Sequence, residues 1–107
     1  LTRHGARFAE RILDQSERSA FEAARDPARL LAKRFAAKEA FGKALGIGLT
    51  APATLSNIGV AHDALGRPWF EYAAALAAHL AQRRLVAHLS ISDEHDYAVA
   101  FVIMEES

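Results

Sequence analysis

Apolar residues recur along this chain with two different periods. In residues 3–13, Phe8 and Ile12 fall on one helical face, with Arg3, Arg7 and Arg11 spaced four apart beside them. Asp14 can cap a second short helix running to about residue 25. Asp26-Pro27 is a stronger start signal: a capping carboxylate, then a proline at the first helical position, where its missing N–H is harmless. The long helix that this predicts has Leu30, Leu31, Phe35, Phe41 and Leu45 as its apolar face, and it ends at Gly46, which tolerates the left-handed C-terminal conformation. Ala32, Ala36, Glu39 and Lys43 form another stripe. Small residues leading to an acid and a base leave room for a large ligand close to the backbone.

Beyond the loop at 48–54 the period shortens. Residues 55–62 are β-like, Gly66-Arg67-Pro68 is a turn, and residues 69–72 are extended. The Ala/Leu-rich tract 73–83 predicts a helix. VAHLSIS then alternates, with Val86, Leu89 and Ile91 expected on one side and His88, Ser90 and Ser92 on the other. Residues 93–96 are a polar turn, and YAVAFVIM is the returning strand. These elements predict an α+β fold, one small domain over 1–107 with a long central helix packed on a mainly antiparallel sheet.

Composition narrows the chemistry. A chain of 107 residues buries roughly two thirds of its unfolded surface in one core. It has no cysteine, which excludes disulfides, thiolate metal sites and cysteine nucleophiles, and fits a reducing, cytoplasmic setting. No apolar run is long enough for a membrane span, and the first residues lack the apolar core of a secretory signal. Thirteen basic and thirteen acidic side chains balance, which argues against a surface devoted to nucleic acid. The distribution is uneven, with ten Lys/Arg against six Asp/Glu in residues 1–43 and three against seven thereafter. A localised basic face is suited to an acidic partner or to phosphates.

Two constellations fail on geometry. His88, Ser90 and Asp93 hold the atoms of a hydrolase triad, but no strand-turn-helix elbow presents the serine. Asp93, Glu94, His95 and Asp96 could attract a divalent ion, but a charged hairpin tip is usually just solvated. His4, His62, His79 and His95 are ordinary histidines that nothing gathers together. The Arg3, Arg7, Arg11 row is either a solvated face or, with Phe8 and Ile12 alongside, a dock for an acidic amphipathic helix. Glu39 and Lys43 likewise have two readings. They are a helical salt bridge, or a carboxylate for Mg²⁺ and a lysine for a phosphate oxygen, in a site where substrate phosphates and water complete the octahedron.

The segment RFAAKEAFGKALG, residues 34–46, resembles the signature of the bacterial holo-(acyl-carrier-protein) synthases, the small phosphopantetheinyl transferases. RFAERIL (7–13), Gly66-Arg67-Pro68, HLSIS (88–92) and DYAVAFVIME (96–105) follow in the family's order and spacing, so the resemblance covers nearly the whole chain. It implies an enzyme of fatty-acid and lipid biosynthesis that moves the 4′-phosphopantetheine arm of coenzyme A onto a serine of apo acyl carrier protein. The released product is adenosine 3′,5′-bisphosphate, the metal is Mg²⁺, and the assembly is a homotrimer. By position Glu39 would be a metal ligand, and Lys43 would meet the pyrophosphate and assist the departing nucleotide. Arg34, Gly46, Gly66, Arg67, Pro68 and Asp93 would help to hold coenzyme A. Arg3, Arg7 and Arg11 would steer the acidic carrier protein towards an apolar contact at Phe8 and Ile12.

Three departures stand out. The family's N-terminal strand, with a Gly-x-Gly-x-Asp motif whose aspartate is the second metal ligand, has no counterpart in residues 1–107, so a chain of this length is expected to bind Mg²⁺ and coenzyme A weakly and to turn over poorly. Ile47 stands where a threonine is frequent, and Asp93 where many members have histidine. The alternative reading is a non-catalytic module that keeps the fold and binds carrier protein without metal chemistry.

Overall fold

A computed structural model describes every residue except Leu1, Thr2 and His95; of residues 3–6 and Phe8 it describes the backbone alone. The order is α1 (Arg3–Ile12), a 3₁₀ turn (Gln15–Glu17), α2 (Arg18–Ala23), α3 (Pro27–Leu45), a second 3₁₀ turn (Leu55–Asn57), β1 (Ile58–His62), β2 (Pro68–Tyr72), α4 (Ala74–Arg83), β3 (Leu85–Asp93) and β4 (Ala98–Glu106). This is the α+β fold that the two periods predict.

The helix boundaries follow from local chemistry. Asp14 and Glu17 form a reciprocal capping box: the Asp14 carboxylate accepts from Glu17 N at 2.9 Å, and Glu17 Oε1 accepts from Asp14 N at 2.9 Å. Asp26 caps α3 by accepting from Arg29 N at 3.1 Å. At the other end Gly46 is left-handed, φ 94°, and donates to the carbonyls of Gly42 and Lys43.

The strands form two separate two-stranded antiparallel sheets, β1 with β2 and β3 with β4, where the pattern suggested one sheet. Strand β1 is shorter than its sequence run, because residues 55–57 close a 3₁₀ turn in which Asn57 N donates to Thr54 O at 3.0 Å. In β3, Leu85, Ala87, Leu89 and Ile91 turn inward, while Val86 lies exposed with His88, Ser90 and Ser92. The expected place of Val86 on the inner face is thereby corrected: three positions separate it from Leu89, and an odd separation puts two strand residues on opposite faces.

Helix α3 divides the interior. One cluster gathers Phe41, Leu45, Ala53, Ile58, Leu76 and Leu80, with Phe70 and Tyr72 packed against it. The Phe41 and Phe70 rings meet edge-on at 5.0 Å between centroids. The second cluster joins Ala9, Ile12 and Leu13 to Leu31, flanked by Phe21, Phe35 and Leu55. It packs α1 across α3.

Candidate active site

The site begins where α3 ends. Besides the Gly46 cap, Gly48 N donates to Gly42 O at 3.0 Å, so the Gly46-Ile47-Gly48 loop folds back onto the last helical turn. That approach needs glycine at position 42, because a Cβ there would stand 2.7 Å from the carbonyl carbon and oxygen of Gly48. Thr50 Oγ1 closes the loop by donating to Ile47 O at 2.8 Å. Lys43 is thus held on a rigid turn beside a glycine loop.

Glu39 and Lys43 both lie exposed on the face of α3 opposite its buried stripe. Four residues apart, they form no ion pair with each other, and among the described residues neither is engaged by any other side chain. An acid and a base left open on one helix face are available to a ligand. Among the described residues no group of three or more His, Asp or Glu side chains could hold a metal. The exposed Glu39 carboxylate offers a hard oxygen of the kind that Mg²⁺ accepts.

The other expected site residues are distributed differently. Arg34 is 7 % exposed and points inward: it donates to Val60 O and reaches Glu17 Oε2 at 3.5 Å. Burial pushes its pKa down, with Glu17 and then Asp14 opposing. It is a core cation, and the expected coenzyme contact through Arg34 is corrected on that ground. Gly66 takes φ 83° in the β1–β2 turn, where Asp63 accepts from Leu65 N, Arg67 N and Arg67 Nε at 2.9, 2.9 and 2.8 Å. Pro68 opens β2 opposite His62.

Asp93 belongs to β3 and not to the turn after it. Its carboxylate meets Arg29 Nη1 at 2.5 Å and Lys33 Nζ at 3.6 Å, both from α3. These two cations hold its pKa below the ordinary carboxylate value, the Arg29 hydrogen bond most strongly. Within this chain neither Asp93 nor the Gly66-Arg67-Pro68 turn makes a hydrogen bond or ion pair with Glu39 or Lys43.

On α1, Arg7 and Arg11 are exposed. The side chains of Arg3, His4 and Phe8 lie outside the described residues, as does His95. Ile12 is 0 % exposed, so its expected part in a carrier-protein contact is corrected. It faces α3 in the core, because the arginine row and Ile12 occupy different sides of the helix.

Sequence reasoning passed over an ionic cluster beneath the site. Lys38 is 0 % exposed, and its three N–H groups meet three acceptors: Glu17 Oε1 at 2.6 Å, Leu55 O at 3.0 Å, and Ile12 O. Glu17, 2 % exposed, also accepts from Val60 N at 3.0 Å. Burial lowers the pKa of Lys38, and the charge and hydrogen bond of Glu17 oppose the shift. Removing one partner would strand the other, at a cost of about 3–5 kcal/mol. The available signal was spacing: positions 31, 34, 38, 41 and 45 form one i, i+3, i+4 stripe, and two of them are cations.

The sequence matches the profile of the 4′-phosphopantetheinyl transferase superfamily over residues 1–102. The chain belongs to this superfamily. Holo-[acyl-carrier-protein] synthase of an Azoarcus species is 64% identical over 105 residues, which cover 98% of this chain and 84% of the relative. The crystal structure of holo-[acyl-carrier-protein] synthase from Neisseria meningitidis superposes with TM-score 0.92 at 48% identity, covering 95% of this chain and 82% of that one. The Bacillus anthracis holo-(acyl-carrier-protein) synthase in complex with CoA (3′,5′-ADP) gives TM-score 0.79 at 33% identity, with 95% and 83% covered. This phosphopantetheinyl transferase is thus similar to its relatives in fold as well as in sequence. No helix among its described residues is long and apolar enough to cross a membrane.

Proposed function

We propose that this transferase moves 4′-phosphopantetheine from coenzyme A to a serine of apo acyl carrier protein in the cytoplasm, with Mg²⁺, releasing adenosine 3′,5′-bisphosphate. The observation that carries the reading is the pair Glu39 and Lys43, one turn apart, exposed and unpaired beside the docked glycine loop. Its similarity to holo-[acyl-carrier-protein] synthases, one of them crystallised with coenzyme A, supports the substrate.

In the reaction the serine oxygen forms a bond to the phosphorus next to pantetheine and its proton passes to water, while the bond from that phosphorus to the bridging oxygen breaks, the oxygen and the bonding pair leaving as adenosine 3′,5′-bisphosphate. Glu39 would hold Mg²⁺, which when bound would supply charge neutralisation at the phosphates. Lys43, fixed by the turn that Gly42 and Gly48 close, places its ammonium where negative charge grows on the leaving phosphate. Gly46 shapes that turn, and Gly66, Arg67 and Pro68 form a preset turn suited to holding the nucleotide. Arg7 and Arg11, with Arg3 on the same helix, attract the acidic carrier protein and set its approach.

Copies of this chain assemble as a homotrimer. Support comes from the outer face of β3–β4, where Phe101 and Ile103 are each 67% exposed. With Val86, they place exposed apolar side chains on the outer face of that sheet.

The test incubates the protein with coenzyme A, Mg²⁺ and apo carrier protein and weighs the carrier by mass spectrometry. Glu39→Gln should abolish the added phosphopantetheine, and Lys43→Ala should slow its appearance by about a hundredfold. Transfer by Glu39→Gln at the unsubstituted rate would overturn the assignment.

A further inference from the structure

We infer that the buried Lys38–Glu17 pair is the joint that sets helix α1 in register with the Glu39/Lys43 face, which makes both residues positioning residues for the carrier protein. The inference rests on the transferase reading above and adds the device that links its two surfaces.

The contact of α1 with α3 through Ala9, Ile12, Leu13 and Leu31 is apolar and has no preferred direction. Such a contact resists separation far better than sliding or rotation. Lys38 supplies the direction that it lacks. The carbonyl of Ile12 is the last of α1, one of the four that a helix leaves without an internal partner, and it carries the partial negative charge of the helix end. Lys38 Nζ donates to it from the middle of α3. The same ammonium holds Glu17, whose two oxygens also take Asp14 N, just beyond α1, and Val60 N on β1. Each of these bonds is directional, and together they allow one orientation of α1.

Lys38 precedes Glu39, so the two side chains leave α3 about 100° apart, one into the core and one to solvent. A turn of α3 that gave Lys38 other partners would carry Glu39 with it. At the far side of the joint, Arg7 and Arg11 project from α1. A carrier protein seated on those arginines must present its serine near Glu39 and Lys43, and a displacement of about 1 Å is enough to slow a transfer severely. The register of α1 on α3 therefore governs use of the carrier protein, whereas coenzyme A, which meets the α3 face directly, is less affected.

Two variants separate register from stability. Lys38→Met leaves Glu17 buried without its main partner and can fail to fold. The double variant Glu17→Leu/Lys38→Met replaces the ion pair with apolar side chains of similar size, an exchange that commonly keeps or raises stability. Unfolding and near-ultraviolet circular dichroism establish that the double variant is folded. In initial-rate assays its kcat/KM for apo carrier protein should fall about tenfold or more, with KM for coenzyme A within about twofold of the unsubstituted value. Amide exchange at residues 9–13 should quicken relative to α3. A folded double variant with unchanged kcat/KM for the carrier protein would overturn the joint while leaving the transferase reading intact. An unsubstituted protein that never modifies the carrier would overturn the reading and, with it, the inference.

Discussion

Asp93 shows how the role of a residue is set by what reaches it. In sequence it stands at a hairpin tip; in space, Arg29 and Lys33 of α3 close on its carboxylate. Because its folded-state pKa is lowered, the contact is at full strength above the ordinary value of 3.8 and is lost as pH falls through the depressed value. Carboxyl NMR should show Asp93 titrating below 3.8, and Arg29→Ala should move its midpoint upward. An unmoved midpoint would mean that the clamp does not form in solution. Tyr72 shifts in the opposite direction, since burial raises its phenol to about 12. The unfolded chain ionises first near 10, so stability should decline with pH above that point. Ultraviolet titration should reveal one late tyrosine, absent in Tyr72→Phe. At this scale the one-turn spacing of Glu39 and Lys43 was legible, but by itself it left both a helical salt bridge and a ligand site open. The partners of Asp93, Arg34 and Lys38 were not legible, since each lies far away in sequence.

Among the elements, α3 is the one whose ends were clearest in the sequence. Asp26-Pro27 and Gly46 act on their own neighbourhoods, so the start and stop needed no tertiary information. The interior of α3 behaves differently. Its buried stripe includes Arg34 and Lys38, which a count of apolar positions passes over, and their burial is possible because Glu17, Ile12, Leu55 and Val60 bring acceptors to them. Gly42 connects this helix to the loop that carries the site. Gly42→Ala would gain helix propensity of about 1 kcal/mol. It would also force a Cβ to within 2.7 Å of Gly48 backbone, which cannot swing aside as a side chain does. We expect a net loss of about 1–3 kcal/mol in urea unfolding together with slower transfer, as the loop beside Lys43 is displaced. A more stable variant would show that the loop is not docked on the helix.

For the whole molecule, the proposed homotrimer rests on the outer face of β3–β4. Phe101 lies opposite Ser90, and Ile103 opposite His88, in the β3–β4 register. Their exposure leaves two large apolar side chains where a lone subunit would carry polar ones. Light scattering should report three times the chain mass of 11.6 kDa, and Phe101→Glu with Ile103→Glu should dissociate the assembly while leaving each subunit folded. A monomer at micromolar concentration in the unsubstituted protein would refute the trimer.

What the sequence determined by itself is whatever depends on neighbours a few residues apart: helix caps, strand alternation, the left-handed glycine, and the Glu39–Lys43 spacing. Local geometry is a function of local chemistry. Only the tertiary structure decided which charges are buried and which remain open, that Ile12 serves the core and not a partner, that Asp93 answers to α3, and that the strands divide into two sheets. Desolvation and ion pairing depend on distances between segments remote in the chain, and those distances exist only after folding.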